Sequence, residues 1–403
     1  MAEDTTRPCY RSAPPEPSYT RAVVEATIGR ARVATSTLLF SNGFLLGAWI
    51  VHIPVVMDRT GISAATLGTL LLWMGACAWL GMQAAGFFVD RTGSARAVTV
   101  ALVLMCLSLP LPGLATDVWT LAAALGLLGA TNGVVDVAQN AQAVTVERAY
   151  GRPVMSSFHA WFSAGGFIAS ALGGTMLALG WPVPLDFLVF AVLGLVLVAL
   201  VRPHLLDHDV QDREEGLARP PWTARIVLLG ALAFALMLAE GVAYDWSTVH
   251  LRDELGTTEA VAAVAYGAFS ATMFVTRLLV DRIVVVTGPG PFVRWASILG
   301  AVGLGIAIVA PTPAVAILGW AVVGIGLAGC VPQFFSAAGN VDPRHGAAII
   351  ARVTGMGYVA LLSGPSIIGL LTHWVPLTTA FLVPLALCLV ASALAPTALR
   401  KPE

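Results

Sequence analysis

The sequence predicts an all-α polytopic membrane protein, with twelve transmembrane helices in two six-helix pseudo-symmetric bundles around a central cavity. Composition is the first reason: 57% of the 403 residues are hydrophobic and 11% are charged, where a soluble domain carries about 25% charged residues. Run length is the second. Stretches such as "TLGTLLLWMGACAWLGMQAAGFFV" and "PLDFLVFAVLGLVLVALV" reach the roughly 18 apolar residues that read as a span, because about 20 helical residues cross a hydrocarbon layer of about 30 Å. The third is that charge gathers between such runs, and one long charged interior stretch divides the chain in two.

Taken in order, the apolar runs place spans at approximately 34–57, 64–89, 97–116, 119–146, 155–180, 183–201, 226–249, 259–280, 292–310, 313–338, 346–372 and 375–398. Residues 1–33, polar and proline-rich at their start, read as a disordered cytoplasmic tail with no apolar segment of a cleavable signal peptide. The N-terminal bundle then covers 34–201, a cytoplasmic linker 202–225, the C-terminal bundle 226–399 and a short cytoplasmic tail 400–403. With the N-terminus inside, inward loops and tails collect about 20 of the 22 Lys and Arg, leaving Arg59 and Arg252 outside, as the positive-inside rule requires. That orientation describes a multi-pass protein of the plasma (inner) membrane with both termini cytoplasmic. The five cysteines lack paired spacing and read as apolar packing residues.

The halves echo each other. "FVDR" at 88–91 recurs as "LVDR" at 279–282, and Asn42-Gly43 with Trp49 and His52 recurs as Glu240-Gly241 with Trp246 and His250. An offset of 190 to 200 residues indicates an internal duplication, and parallel six-span repeats around a central site are an architecture of secondary transporters.

Within the fourth span, "GVVDVAQNAQAV" sets polar groups in an apolar run. Asn132, Asp136, Gln139, Asn140 and Ala143 are spaced by three or four and form one helical stripe. An ionised carboxylate near mid-membrane costs on the order of 3 kcal/mol, so it lines a cavity or pairs with a base. The cavity reading makes Asp136 a proton-loading site; the alternative is a permanent pair with an arginine. Glu240, near the middle of the seventh span with Tyr244 one turn on, is the corresponding acid of the second half. Its alternative role is a hydrogen bond beside Gly241 that stabilises a helix break. Asp245, rotated to another face and nearer the outer side, reads as a solvated or capping residue.

"GFFVDRTGSAR", from Gly86 to Arg96, resembles the loop signature of the major facilitator superfamily between spans two and three. Gly86, Asp90, Arg91, Gly93 and Arg96 match it, and Ala95 departs at one basic position. The resemblance covers essentially the whole chain and implies the major facilitator fold. It also implies that Asp90 and Arg91 hold cytoplasmic helix ends together, with Asp281 and Arg282 as the weaker second copy. The fourth and fifth spans resemble the fucose-permease-like branch, in particular its poorly characterised bacterial inner-membrane members. In the sugar symporters of that branch an acid followed by "xxxN" carries the proton and contacts sugar, which falls here on Asp136 and Asn140. The branch's acid on the first span has no counterpart in "GAWIVHIPVV". The fourth-span arginine and fifth-span Gly-Pro of drug antiporters are also absent, although a Gly-Pro stands at 364–365 in the eleventh span.

Because spans one, four, seven and ten line the cavity in this superfamily, Asp136 and Glu240 are expected to face each other across it. Asn42, Trp49, Trp246 and Gln333 are further candidates on the same spans. Both tryptophans also suit an outer aromatic belt, and Gln333 follows Pro332, which frees a backbone carbonyl. His159 and Arg352 occupy matching places in the fifth and eleventh spans near the cytoplasmic end. His159 titrates near neutrality and suits a relay or a helix-helix hydrogen bond. Arg352 suits a pair with Asp136 or an anionic solute, or snorkelling to the interface.

No nucleotide-binding glycine loop, metal-ligand cluster or nucleophile elbow stands on a water-accessible segment. The expectation is therefore a transporter and not an enzyme, with no cofactor, metal or nucleic acid. It works as a monomer in the bilayer on a small-molecule solute, with H+ as the coupling ion. The favoured reading is proton symport of a small polar organic solute, a sugar or sugar-like metabolite, by alternating access. The alternative is a proton-antiport exporter of a drug or secondary metabolite, and a third reading is a transport-dead sensor or partner-binding protein.

Overall fold

A computed structural model describes residues 18–152, 154–206, 221–342 and 345–400. Among these the chain forms helices joined by short turns. The first half contains α1 (Ser18–Thr60), α2 (Ala64–Thr92), α3 (Ser94–Ser108), α4 (Pro110–Leu114), α5 (Val118–Tyr150), α6 (Met155–Ala178) and α7 (Val183–Val201). After the charged stretch come α8 (Ala224–Leu255), α9 (Glu259–Thr287), α10 (Pro289–Ile308), α11 (Pro313–Leu327), α12 (Cys330–Gly339), α13 (Gly346–Leu371), α14 (Leu377–Ala380) and α15 (Leu382–Ala398).

Three of the twelve expected spans are built from two helical pieces each: α3 with α4, α11 with α12, and α14 with α15. Among the described residues eleven spans are long and apolar enough to cross a membrane. The twelfth, α9, has the length, at 29 residues, but carries polar residues. These are spent on other helices: Tyr266 and Ser270 are buried, and Thr272 donates to the Ala321 carbonyl at 2.8 Å. Helix α1 starts at Ser18, so residues 18–33, expected in the tail, extend the first span. The linker expected over 202–225 begins with a 3-10 turn at Arg202–His204 and gives way to α8 at Ala224, where Thr223 caps the helix; residues 207–220 and Cys9 lie outside the described residues.

Glycine permits the close helix contacts that replace hydrophobic drive in lipid. A Cβ on Gly43 of α1 would clash with the Phe162 carbonyl of α6, and one on Gly241 of α8 would lie 2.6 Å from the Leu361 carbonyl of α13. The same pairing thus recurs 199 positions later on the partner helix. That register makes Tyr358, not Arg352, the counterpart of His159. It also corrects the loop echo. Helices α2 and α9 end on Gly93 (φ 81) and Gly288 (φ 80), whose N–H groups bond to the Val89 and Val284 carbonyls. These are equivalent junctions, at a φ that favours glycine. Asp90 lies three residues before its glycine and Asp281 seven before its own, so the second Asp-Arg pair sits one helical turn further into the helix.

Helix α6 packs on α9 and α2 on α13, joining the bundles. At the end carrying Arg59 and Arg252 they are closed. A Cβ on Gly68 meets the Gly369 Cα at 2.6 Å, Thr248 Oγ1 donates to the Ile50 carbonyl at 3.3 Å, and Arg252 binds the Pro54 carbonyl and pairs with Asp58 at 2.8 Å. Toward the basic end the α2–α13 seam parts: Gly75 still meets Leu362, whereas a Cβ on Gly86 or Gly355 meets nothing within 4 Å.

Candidate transport site

Asp136 sits in the middle of α5, half-buried. Asn140, one turn on, donates Nδ2–H to the Asp136 backbone carbonyl at 2.8 Å and lies 3.4 Å from Oδ1; Gln139 Nε2 lies 3.4 Å from the same oxygen. From the other bundle, the Tyr358 hydroxyl of α13 faces this carboxyl as a hydrogen-bonding neighbour. Every one of these donors is neutral. Among the described residues no cation lies within ion-pair distance of Asp136, so the permanent arginine pair is not formed. Buried acceptors without a protein partner stand on the same helix at Asn132 Oδ1 and Gln139 Oε1, and on α1 at Asn42 Oδ1. The stripe ends at Ala143, which packs with Ala31, Leu39, Val146 and Phe158. Gln142 faces away, accepting from Ser94 at 2.7 Å.

Glu240 has a different environment. Arg277 of α9 donates from Nη2 to Glu240 Oε1 at 2.8 Å, and Tyr244 donates to the same oxygen at 3.2 Å. The guanidinium also crosses to the other bundle, where Nη1 donates to the His159 carbonyl at 3.2 Å and to Ser163 Oγ at 2.8 Å. Its Nε donates to the Ala328 carbonyl at 3.2 Å. That carbonyl is free because Pro332, four residues on, has no N–H to offer it. The tenth span accordingly breaks between α11 and α12, and Gln333 bonds to the Gly329 carbonyl at 3.4 Å. Glu240 is therefore the counter-ion of an inter-bundle arginine and not an open acid facing Asp136. Tyr358 lies within electrostatic reach of both carboxyls.

Other expectations shift with burial. Trp49 and Trp246 are 1% and 0% exposed, so neither forms an interfacial belt. Trp246 Nε1 donates to the Pro365 carbonyl at 2.9 Å and the ring abuts Gly369. His52 turns away from the centre: Nδ1 is 2.7 Å from the Ala48 carbonyl and Nε2 is 3.1 Å from Asp186, both residues fully buried. Its repeat partner His250 accepts from Trp320 Nε1 at 3.2 Å. Arg352 does not approach Asp136; its guanidinium lies 4.6 Å from the Trp222 ring, just before α8 begins. Half-buried His159 contributes its backbone carbonyl to Arg277.

Asp245 is half-buried and is not a cap, since α8 runs on to Leu255. In the last turn of α2, Arg91 lies over the Phe87 ring at 3.7 Å; at the start of α3 Arg96 is exposed, whereas Ala95 is buried, which explains the missing basic residue there. Asp281 lies 3.5 Å from Ser156 Oγ of α6, and Arg282 is exposed.

Sequence reasoning missed Arg277 and Tyr358. Arg277 stands close to the end of its span, where a positive charge reads as part of the basic end. Tyr358 had a signal, a lone hydroxyl in an apolar run, but nothing local tied it to Asp136.

The model of the Major Facilitator Superfamily matches residues 35–338. An uncharacterised MFS-type transporter of Yersinia pestis is 34% identical over 352 residues, 87% of this chain and 91% of that protein. The uncharacterised transporter y4wD of Sinorhizobium fredii is 35% identical over 371 residues, 90% and 96% of the two, and the membrane protein MosC of Rhizobium meliloti 32% over 355 residues, 88% and 86%. Among solved structures, the nucleoside transporter NupG has a TM-score of 0.68 at 13% identity, covering 92% of this chain and 100% of that one. A bacterial homologue of the lysosomal transporter Spinster has a TM-score of 0.68 at 13% identity, covering 96% and 98%. At that identity the structural likeness shows the fold alone. The family match over most of the chain and the three relatives together establish that the chain belongs to the major facilitator superfamily, and so is a secondary transporter.

Proposed function

We propose that this transporter imports a small polar, hydroxyl-rich solute in symport with protons, and that it belongs to the fucose-permease-like branch. The observation that carries the reading is Asp136: a mid-span carboxyl held by neutral donors only. Charge there is tolerated when water reaches it and is costly when the cavity closes, so a proton that binds before closure and leaves after opening lowers the barrier in both directions. The unpartnered amide oxygens of Asn42, Asn132 and Gln139 are acceptors, and sugar-like hydroxyls are donors that satisfy them. The basic end is assigned to the cytoplasm of the plasma membrane by the positive-inside rule, with the chain acting as a monomer.

The test is reconstitution into liposomes with an imposed pH gradient and a panel of radiolabelled polyols, sugars and nucleosides. Accumulation of one class into the alkaline interior, abolished by a protonophore, supports the reading. Accumulation only when the gradient is reversed would establish the exporter instead.

A further inference from the structure

Between Ala235 and Leu251, α8 is buried at every position except Tyr244 and Asp245. The helix is enclosed by protein on this stretch, so the surface these two retain belongs to an internal space. Tyr244 is committed to Glu240. Asp245 has no hydrogen bond or ion pair among the described residues. One turn further along α8 is Thr248, which closes on the Ile50 carbonyl of α1. Two turns on is Arg252, which binds Pro54 and Asp58. Asp245 therefore lies just beneath the closed outer contact between the bundles.

Among the described residues its surroundings offer no counter-charge. From α9 the titratable neighbour is Tyr266, which is neutral at ordinary pH. On α1, His52 is turned to Asp186. Arg277 is engaged by Glu240, and Tyr358 of α13 by Asp136. On α8 itself, His250 is turned to Trp320 and Arg252 to Asp58. Cys330 of α12 is buried and bonded to the Gly326 carbonyl.

We infer that Asp245 is the second proton-binding residue of the transport cycle and that its protonation licenses closure of the outer contact between α1 and α8. An ionised carboxylate sealed under Thr248 and Arg252 has lost its water without gaining a cation; a neutral one bears no such penalty. In the outward-open form Asp245 is hydrated and ionised. A proton taken from outside neutralises it, Thr248 and Arg252 then close on α1, and the proton leaves toward the opposite side after the seam there parts. Glu240, five residues earlier, cannot serve in this way because Arg277 already neutralises it. The assignment rests on the proton-coupled reading above.

The experiment places a cysteine at Ile50→Cys, whose backbone carbonyl remains the Thr248 acceptor, in a variant with the five native cysteines replaced by serine. Labelling by a membrane-impermeant maleimide is followed in proteoliposomes against pH, without solute or gradient, and each rate is divided by that of the same thiol in the denatured protein, so that the thiolate's own titration cancels. The expected wild-type rate rises with pH, by at most about tenfold per unit, the limit for a one-proton step. Asp245→Asn is expected to label slowly at every pH, and Asp245→Glu to restore the rise. A wild type indifferent to pH, an Asp245→Asn variant that still titrates, or one that labels fast throughout each overturns the assignment. Because no solute is needed, a wild type that accumulates solute on a proton gradient yet shows flat labelling defeats the role of Asp245 alone.

Discussion

Arg277 holds Glu240 at 2.8 Å and, with the same guanidinium, the His159 carbonyl at 3.2 Å on the opposite bundle. One side chain thus neutralises the buried acid of α8 and ties α9 to α6. Removing either charge leaves the other buried and unpaired, at a cost of about 3–5 kcal/mol. Both Arg277→Gln and Glu240→Gln are expected to lower the thermal midpoint in detergent, and the double variant to recover most of the loss. Additive losses in the double-mutant cycle would show that the two charges are not coupled.

Asp136→Asn preserves the size of the side chain and its neighbours Asn140, Gln139 and Tyr358 but cannot ionise. Expression and folding are expected to be unchanged, as judged by size-exclusion profile, while accumulation driven by a pH gradient is abolished. Full retention of gradient-driven uptake by this variant removes Asp136 from the coupling mechanism.

Gly369 and Gly68 meet backbone to backbone, and a Cβ on Gly369 would clash with the Gly68 Cα and stand 3.0 Å from the Trp246 ring. Overpacking of this kind costs about 1–3 kcal/mol, and here it penalises only the state closed at that end. Gly369→Val is expected to raise maleimide labelling of Ile50→Cys about 5- to 150-fold. Unaltered labelling would mean that the α2–α13 contact does not control the end carrying Arg59 and Arg252.

Asp117 caps α5, accepting from the Trp119 and Thr120 N–H groups at 2.8 and 3.0 Å. Those bonds, led by Thr120, hold its carboxyl below the usual carboxylate range. A carboxyl depressed in the folded state stabilises above its unfolded pKa, and the contribution is lost as pH falls through the folded value. Asp117→Ala is therefore expected to lower the thermal midpoint at pH 7, with the difference from wild type shrinking below about pH 4. A difference that persists undiminished in acid would assign it to packing.

Pro332 leaves the Ala328 carbonyl for Arg277 Nε. Pro332→Ala supplies a competing N–H and is expected to weaken the hold of Arg277, so that Glu240→Gln costs less stability in the Pro332→Ala background. An unchanged cost would show that the break between α11 and α12 does not position Arg277.

The sequence alone determined the class of this protein, because hydropathy over about 20 residues is a local property that lipid reads directly. Twelve spans, the duplication, the Gly86–Arg96 signature and the polar stripe of α5 were all legible in this way. The exact register of the repeat was less so. "FVDR" and "LVDR" match as letters, yet the glycine junctions at 93 and 288 show them offset by one turn.

Only the tertiary structure decided what each buried charge does. Glu240 and Asp245 stand five residues apart on one helix in equally apolar surroundings, and local pattern gives no reason to tell them apart. Their difference arises from α9, which brings Arg277 to one and only Tyr266 to the other. A side chain's neutralising partner is fixed by which helices meet and at what rotation, and that is a property of the packed bundle.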